Sequence, residues 1–207
     1  MKVIIVEDHA LMREFLAAVC AKSPDVAVLA VADSGEKAIA VIADLKPDVV
    51  LLDIELPDID GFEVLGKVRE AKVYPRVVVI TAYGSPYTVI RVENAHVEGF
   101  LNKCDQTSKA ITNAIGALRC NRTYFSDSYQ RMKANLRKDP FSIDKILTDQ
   151  QMSVVLWVAR LQDDVSIGKK LNITARTVEA HRTNIMHKLG IHSRTQLIDY
   201  ARGQGFF

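Results

Sequence analysis

Over its first 120 residues the chain alternates short β-branched runs with helix-length amphipathic stretches. Val3–Val6, Ala27–Val31, Val49–Leu52, Val77–Ile80 and Gly99–Leu101 read as strands, four of them continuously apolar, as strands covered on both faces are. Between them, Leu11–Lys22, Glu36–Leu45, Phe62–Ala71, Pro86–Ala95 and Ser108–Arg119 carry apolar residues at helical spacing, for example Ala38, Ile39, Ile42 and Leu45. Five βα units in succession predict an α/β domain with a doubly wound, five-stranded parallel sheet and right-handed crossovers. From Asn121 to Asp144 the alternation stops in a polar stretch, read as a linker that is part helical. Beyond it no strand pattern remains. Thr148–Gln151 has the form of a capping box, and Met152–Leu161, Asp164–Leu171, Ala175–Leu189 and Arg194–Arg202 are each of helical length. The chain thus divides into a domain at 1–120, a linker at 121–144 and a small all-α, four-helix domain at 145–207.

Composition narrows the class. Of 207 residues 48% are hydrophobic and 25% charged, with ten Gly and six Pro, which excludes a collagen-like, low-complexity or globally disordered chain. No apolar run approaches the roughly 18 residues that span a bilayer, and Lys2 leads straight into Val3–Val6 rather than a signal-peptide core. A cytoplasmic protein with no membrane partner is expected. Cys20, Cys104 and Cys120 are odd in number and have no C-x-x-C spacing, so neither a disulfide framework nor a zinc site is indicated. The net charge of +2 conceals an asymmetry: residues 1–120 hold 13 basic against 17 acidic residues, and residues 121–207 hold 14 against 8. An acidic part suited to cations is joined to a basic part suited to a polyanion such as nucleic acid.

In a parallel sheet of this kind ligands bind off the carboxyl ends of the strands. There the sequence puts Glu7 and Asp8 after the first strand, Asp53 at the end of the third, Thr81 after the fourth and Lys103 after the fifth. Three converging carboxylates repel one another unless a cation neutralises them, and an all-oxygen site favours a hard divalent ion such as Mg²⁺. A neighbouring hydroxyl and ammonium suit the oxygens of a phosphoryl group.

Glu7-Asp8, the Asp53–Pro57 segment with Gly61 eight residues after the aspartate, Thr81-Ala82 and Phe100–Lys103 together resemble the receiver domain of two-component response regulators, a flavodoxin-like fold. The resemblance implies that Asp53 is the phosphoacceptor for a sensor histidine kinase. It also implies Mg²⁺ on Glu7, Asp8, Asp53 and the Glu55 backbone carbonyl, and phosphoryl oxygens on Thr81 and Lys103. Phe100 occupies the aromatic position that turns inward when Thr81 moves toward the phosphate. His9 is read as capping or beginning the first helix, and Glu55 and Tyr83 as flanking the site where they tune water access. The family is a phosphoacceptor with possible autodephosphorylation and not a dedicated enzyme; a stand-alone phosphohydrolase would need a further acid or base at the strand ends, which the sequence lacks.

The basic domain has the layout of a helix-turn-helix: Asp164–Leu171, a turn at Asn172-Ile173, and a longer helix from Thr174. Gly168 stands where two helices could cross closely. Val178, Ile185 and Leu189 line one side of the longer helix; Arg176, Glu179, Ala180, Arg182, Thr183 and Lys188 line the other, a mixed polar face suited to a major groove. Thr174–Gly190 followed by Ser193–Leu197 resembles the LuxR-type helix-turn-helix, and with the receiver the whole resembles the NarL/FixJ class. The resemblance implies a transcription regulator binding two-fold related sites on double-stranded promoter DNA. Glu179, Ala180 and Thr183 would read bases, with Thr174 at the helix start and Arg176, Arg182 and Lys188 nearer the phosphates. Glu179 could accept from cytosine N4, or could pair with Arg176 or Arg182 on its own helix. Leu197, Ile198 and Ala201 of the last helix are the expected surface of an active homodimer. Asp163 and Asp164 depart from the family pattern: two carboxylates at a helix start repel a DNA phosphate there. They support the alternative of a regulator that acts through protein–protein contact with weak or lost DNA binding.

Overall fold

Each buried β-branched run forms a strand, and each amphipathic stretch a helix, within one to three residues of the bounds predicted from the pattern. A computed structural model describes residues 1–82, 84–105 and 108–206, of Asp105 the backbone alone. Their order is β1 (Lys2–Val6), α1 (Ala10–Ala21), β2 (Ala27–Ala32), α2 (Gly35–Leu45), β3 (Val49–Leu52), α3 (Gly61–Glu70), β4 (Arg76–Thr81), α4 (Pro86–Ala95) and β5 (Gly99–Asn102). A 3₁₀ turn at Lys103–Asp105 leads to α5 (Ser108–Arg119), β6 (Tyr124–Phe125), α6 (Asp127–Lys138), α7 (Ile143–Ile146), α8 (Asp149–Ala159), α9 (Asp164–Leu171), α10 (Ala175–Leu189) and α11 (Arg194–Gly203). Two units result, Met1–Gly84 with Arg91–Arg131, and Ser85–Ile90 with Met132–Phe207. No helix among the described residues is long and apolar enough to cross a membrane.

The first unit is a parallel sheet in the order β2-β1-β3-β4-β5-β6. Strand order reverses between β1 and β3, which opens the crevice at their carboxyl ends. Val3, Ile5, Leu51, Val78, Ile80 and Leu101 pack on Leu16, Val19, Ile111, Ile115 and Leu118 of α1 and α5, so one face of the sheet is dry.

The sixth strand is a departure from the five expected, and much of the stretch read as linker is ordered. Tyr124 and Phe125 pair in parallel with Gly99 and Phe100. One turn later Tyr129 is fully buried, its ring 5.0 Å from that of Phe100 and 4.9 Å from that of Phe125. Its hydroxyl donates to Glu93 Oε1 of α4 at 2.5 Å. The first unit therefore runs past residue 120.

In the second unit Val154, Val155, Val158, Ile167, Val178, Ile185, Leu197 and Ala201 form the core of α8–α11. The capping box is present, with Thr148 Oγ1 accepting from Gln151 N and Gln151 Oε1 from Thr148 N. The helix-turn-helix is tight because Ile173 N donates to Gly168 O at 2.9 Å, and a Cβ on Gly168 would lie 2.7 Å from Ile173 O. Leu161, which follows α8, has φ +59 and is 74% exposed, a conformation costly for a branched side chain.

Candidate functional site

The β1–β3–β5 register brings the acidic residues together. Glu7 and Asp53 leave the sheet as neighbours, since Asp53 N donates to Val6 O and Glu7 N to Ala32 O, both at 2.9 Å. Gly61 lets α3 start close by: a Cβ there would meet Asp53 O at 2.5 Å and Ile54 Cα at 2.7 Å. This is why the glycine eight residues after the aspartate belongs to the site without supplying a functional group. Asp60, the N-cap of α3, accepts from Phe62 N and holds the Arg91 guanidinium of α4 with both oxygens at 2.7 Å.

Glu7, Asp53 and Thr81 are buried, at 0, 2 and 0% exposure. The Lys103 ammonium bridges the two carboxylates, 2.6 Å from Asp53 Oδ2 and 2.8 Å from Glu7 Oε1. Asp53 Oδ1 accepts from Glu55 N at 3.1 Å. Burial pushes the Asp53 carboxyl above its ordinary pKa despite the opposing Lys103 charge. Partial burial and the Asp53 charge push Glu55 up as well. For Lys103 burial works against the charge, but the hydrogen bonds to Asp53 and Glu7 outweigh it and hold the ammonium above its usual value. Asp8 is part-exposed, its Oδ1 2.8 Å from His9 Nδ1. His9 holds the N-cap position of α1 without a side-chain capping bond, so its ring serves Asp8 rather than the helix. Arg13, which the sequence pattern did not single out, donates to the backbone oxygens of Glu7 and Asp8 at 2.7 and 2.9 Å. Among the described residues, none hydrogen-bonds the buried Glu7 Oε2. A cluster of carboxylates with an orphaned buried oxygen fits a hard divalent cation, and His9 Nδ1 stands close enough to Glu7 and Asp8 to be a further donor. Phe100 is fully buried and packed on Tyr129. Tyr83 lies outside the described residues.

On α10, Arg176, Glu179, Ala180 and Thr183 share one exposed, shallow surface with Asn184 and His187, two residues the sequence reading had not assigned to it. Thr174 caps the helix, accepting from Thr177 N at 3.1 Å. Two of the residues expected near the phosphates have partners within the domain. Arg182 is half-buried and donates to Asp164 Oδ2 at 2.8 Å. Lys188 turns to Gln151 Oε1 at 2.9 Å and Ile146 O at 3.0 Å. Of the three residues expected at a dimer surface, Leu197 and Ala201 are fully buried in the domain's own core beside α8, and Ile198 packs on that core while staying partly exposed. Asp163 and Asp164 do not stand as two bare charges. Asp163 caps α9 through Ser166 N at 2.7 Å, which holds its carboxyl below the ordinary range, and Asp164 pairs with Arg182 and, at 3.7 Å, with Arg194.

Residues 3–115 match the family described as response regulator receiver domain, and residues 145–201 that described as bacterial regulatory proteins, luxR family. Among curated relatives, response regulator protein VraR of Staphylococcus saprophyticus is 30% identical over 200 residues, which cover 97% of this chain and 95% of the relative. VraR of Staphylococcus aureus is 28% identical over the same shares. Among solved structures, RcsB from Salmonella enterica serovar Typhimurium bound to promoter rprA in the presence of phosphomimetic BeF3⁻ superposes with a TM-score of 0.75 at 22% identity, covering 97% of each chain. The same protein bound to promoter P1flhDC gives 0.68 at 21% identity, covering 98% of each. The structural likenesses concern the fold.

Proposed function

Because the chain belongs to the two-component response regulators, a receiver joined to a LuxR-family regulatory domain, we propose that Asp53 accepts a phosphoryl group from a histidine kinase and that α10 reads promoter DNA. The observation that carries the first half is the Lys103 ammonium held between Asp53 and Glu7 at the switch point of the sheet. A carboxylate oxygen of Asp53 attacks the phosphorus of the kinase phosphohistidine; the P–N bond breaks and the imidazole leaves. Lys103 and the Thr81 hydroxyl bind the oxygens that arrive with the group. Glu7, Asp8, Asp53 and the Glu55 carbonyl would hold Mg²⁺, which supplies the positive charge that offsets the clustered carboxylates. Thr81 and Phe100 form the switch, and Phe100 is coupled through its packed neighbour Tyr129 to the start of α6.

The second half is supported by the exposed α10 face bearing Arg176, Glu179, Ala180, Thr183, Asn184 and His187. RcsB, a structural likeness, is recorded bound to promoter DNA and as dimers. Two copies of this chain would present two α10 helices to two-fold related half-sites. The alternative of a purely protein-binding regulator drew on Asp163 and Asp164, and their engagement with Ser166, Arg182 and Arg194 removes that ground. A kinase donor and a promoter target together point to the cytoplasm. Phosphotransfer to the full-length protein tests the assignment: Asp53→Asn is expected to abolish acyl-phosphate formation, and undiminished labelling would sink it.

A further inference from the structure

Among the residues exposed on the α10 face Glu179 is the one acid, and among the described residues no cation is paired with it. Arg182, three residues on, is bonded to Asp164. Lys188 is turned to Gln151 and Ile146. Arg176, three residues back, is exposed, and among the described residues no ion pair or hydrogen bond joins it to Glu179. The carboxylate therefore faces outward, flanked by Ala180 with only a methyl group and Thr183 with a small hydroxyl.

We propose that Glu179 selects cytosine at one base pair of the bound site and excludes guanine and thymine there; the inference rests on the DNA-binding reading of α10. An ionised carboxylate accepts hydrogen bonds and donates none. In the major groove cytosine offers the N4 amino group, guanine offers the N7 and O6 acceptors, and thymine offers the O4 acceptor and a methyl group. Adenine offers an N6 donor, but its N7 acceptor lies beside it and repels a second carboxylate oxygen. A carboxylate stripped of water against guanine or thymine is left unpaired, so Glu179 acts by penalising the wrong base as much as by bonding the right one. The charge also works against indiscriminate attraction to phosphate, which raises the ratio of specific to non-specific binding.

The test is selection from a randomised duplex pool by the full-length protein, with Mg²⁺ and acetyl phosphate present, for wild type, Glu179→Gln and Glu179→Ala. Wild type should enrich a motif with a fixed cytosine column, and single duplexes changed from cytosine to thymine there should bind roughly 10- to 100-fold more weakly. Glu179→Ala should lose that column while keeping the rest of the motif. Glu179→Gln, which donates as well as accepts, should move it to adenine. Matching thermal melts for the three proteins establish that the exposed substitutions leave the fold intact. One motif common to all three proteins, or a wild-type motif without the cytosine, overturns the inference while leaving DNA binding standing. Enrichment of no duplex by any of them overturns the DNA-binding reading itself, and this inference with it.

Discussion

Asp164 shows how one carboxylate reassigns its neighbours. It draws Arg182 off the outer face of α10 and stands beside Arg194, which also donates to Gln162 O. Asp164→Ala leaves the half-buried Arg182 without its partner and should destabilise the domain by about 1–3 kcal/mol in urea denaturation. The double variant with Arg182→Ala should lose less than the sum, because the second change removes the stranded cation. Leu161 points the other way. Its positive φ costs about 1–2 kcal/mol for an L side chain, and its exposure means little packing is lost on removal. Leu161→Gly should raise stability by roughly 0.5–1 kcal/mol once the greater freedom of an unfolded glycine is subtracted; a lower melting temperature would contradict this. Cys20, on the buried side of α1, has its thiol pushed up to about 11 by desolvation, whereas Cys104 and Cys120 are exposed. A thiol reagent at pH 8 should modify two cysteines at once and the third only as the protein unfolds.

Elements of ordinary length were legible in the hydrophobic pattern, because a buried parallel strand and an amphipathic helix each need a run that repeats. β6 has no such run. Tyr124 and Phe125 become a strand only by pairing with Gly99 and Phe100, an interaction that spacing along the chain does not contain. The aromatic at 129, with Met132 and Leu136 at helical spacing, was the available sign that the polar stretch held a helix with a buried side. Periodicity also marks an apolar face without saying what covers it. Leu197 and Ala201 read equally well as a dimer seam or as core, and α8 decides for core. Likewise the cation beside Glu179 was visible in the helix, but its partner Asp164 lies 18 residues away across the turn. The acidic site was the most legible feature because each of its residues sits directly after a strand, and the sheet alone brings strand ends together. Arg13 and Asp60 with Arg91 were missed because they act on backbone and on one another, which leaves no motif.

For the molecule as a whole, the surplus of base over acid in residues 121–207 overstates what DNA can meet. Arg182, Lys188 and Arg194 are engaged inside their own domain, whereas Arg176 is exposed. Arg176→Ala should lower the slope of log affinity against log salt by about one, whereas Lys188→Ala should leave the slope and weaken the fold. The packing of Tyr129 also bears on where the chain can be divided. A fragment ended at residue 120 bares the Gly99–Phe100 edge and one side of the Phe100 ring, and an uncovered parallel edge is a template for another strand. Ended at Lys138 instead, the same domain carries its own edge cover. In size-exclusion chromatography the shorter piece should elute as aggregate and the longer as a single species, so the residues that look like a tether are what keep the sheet from recruiting strangers.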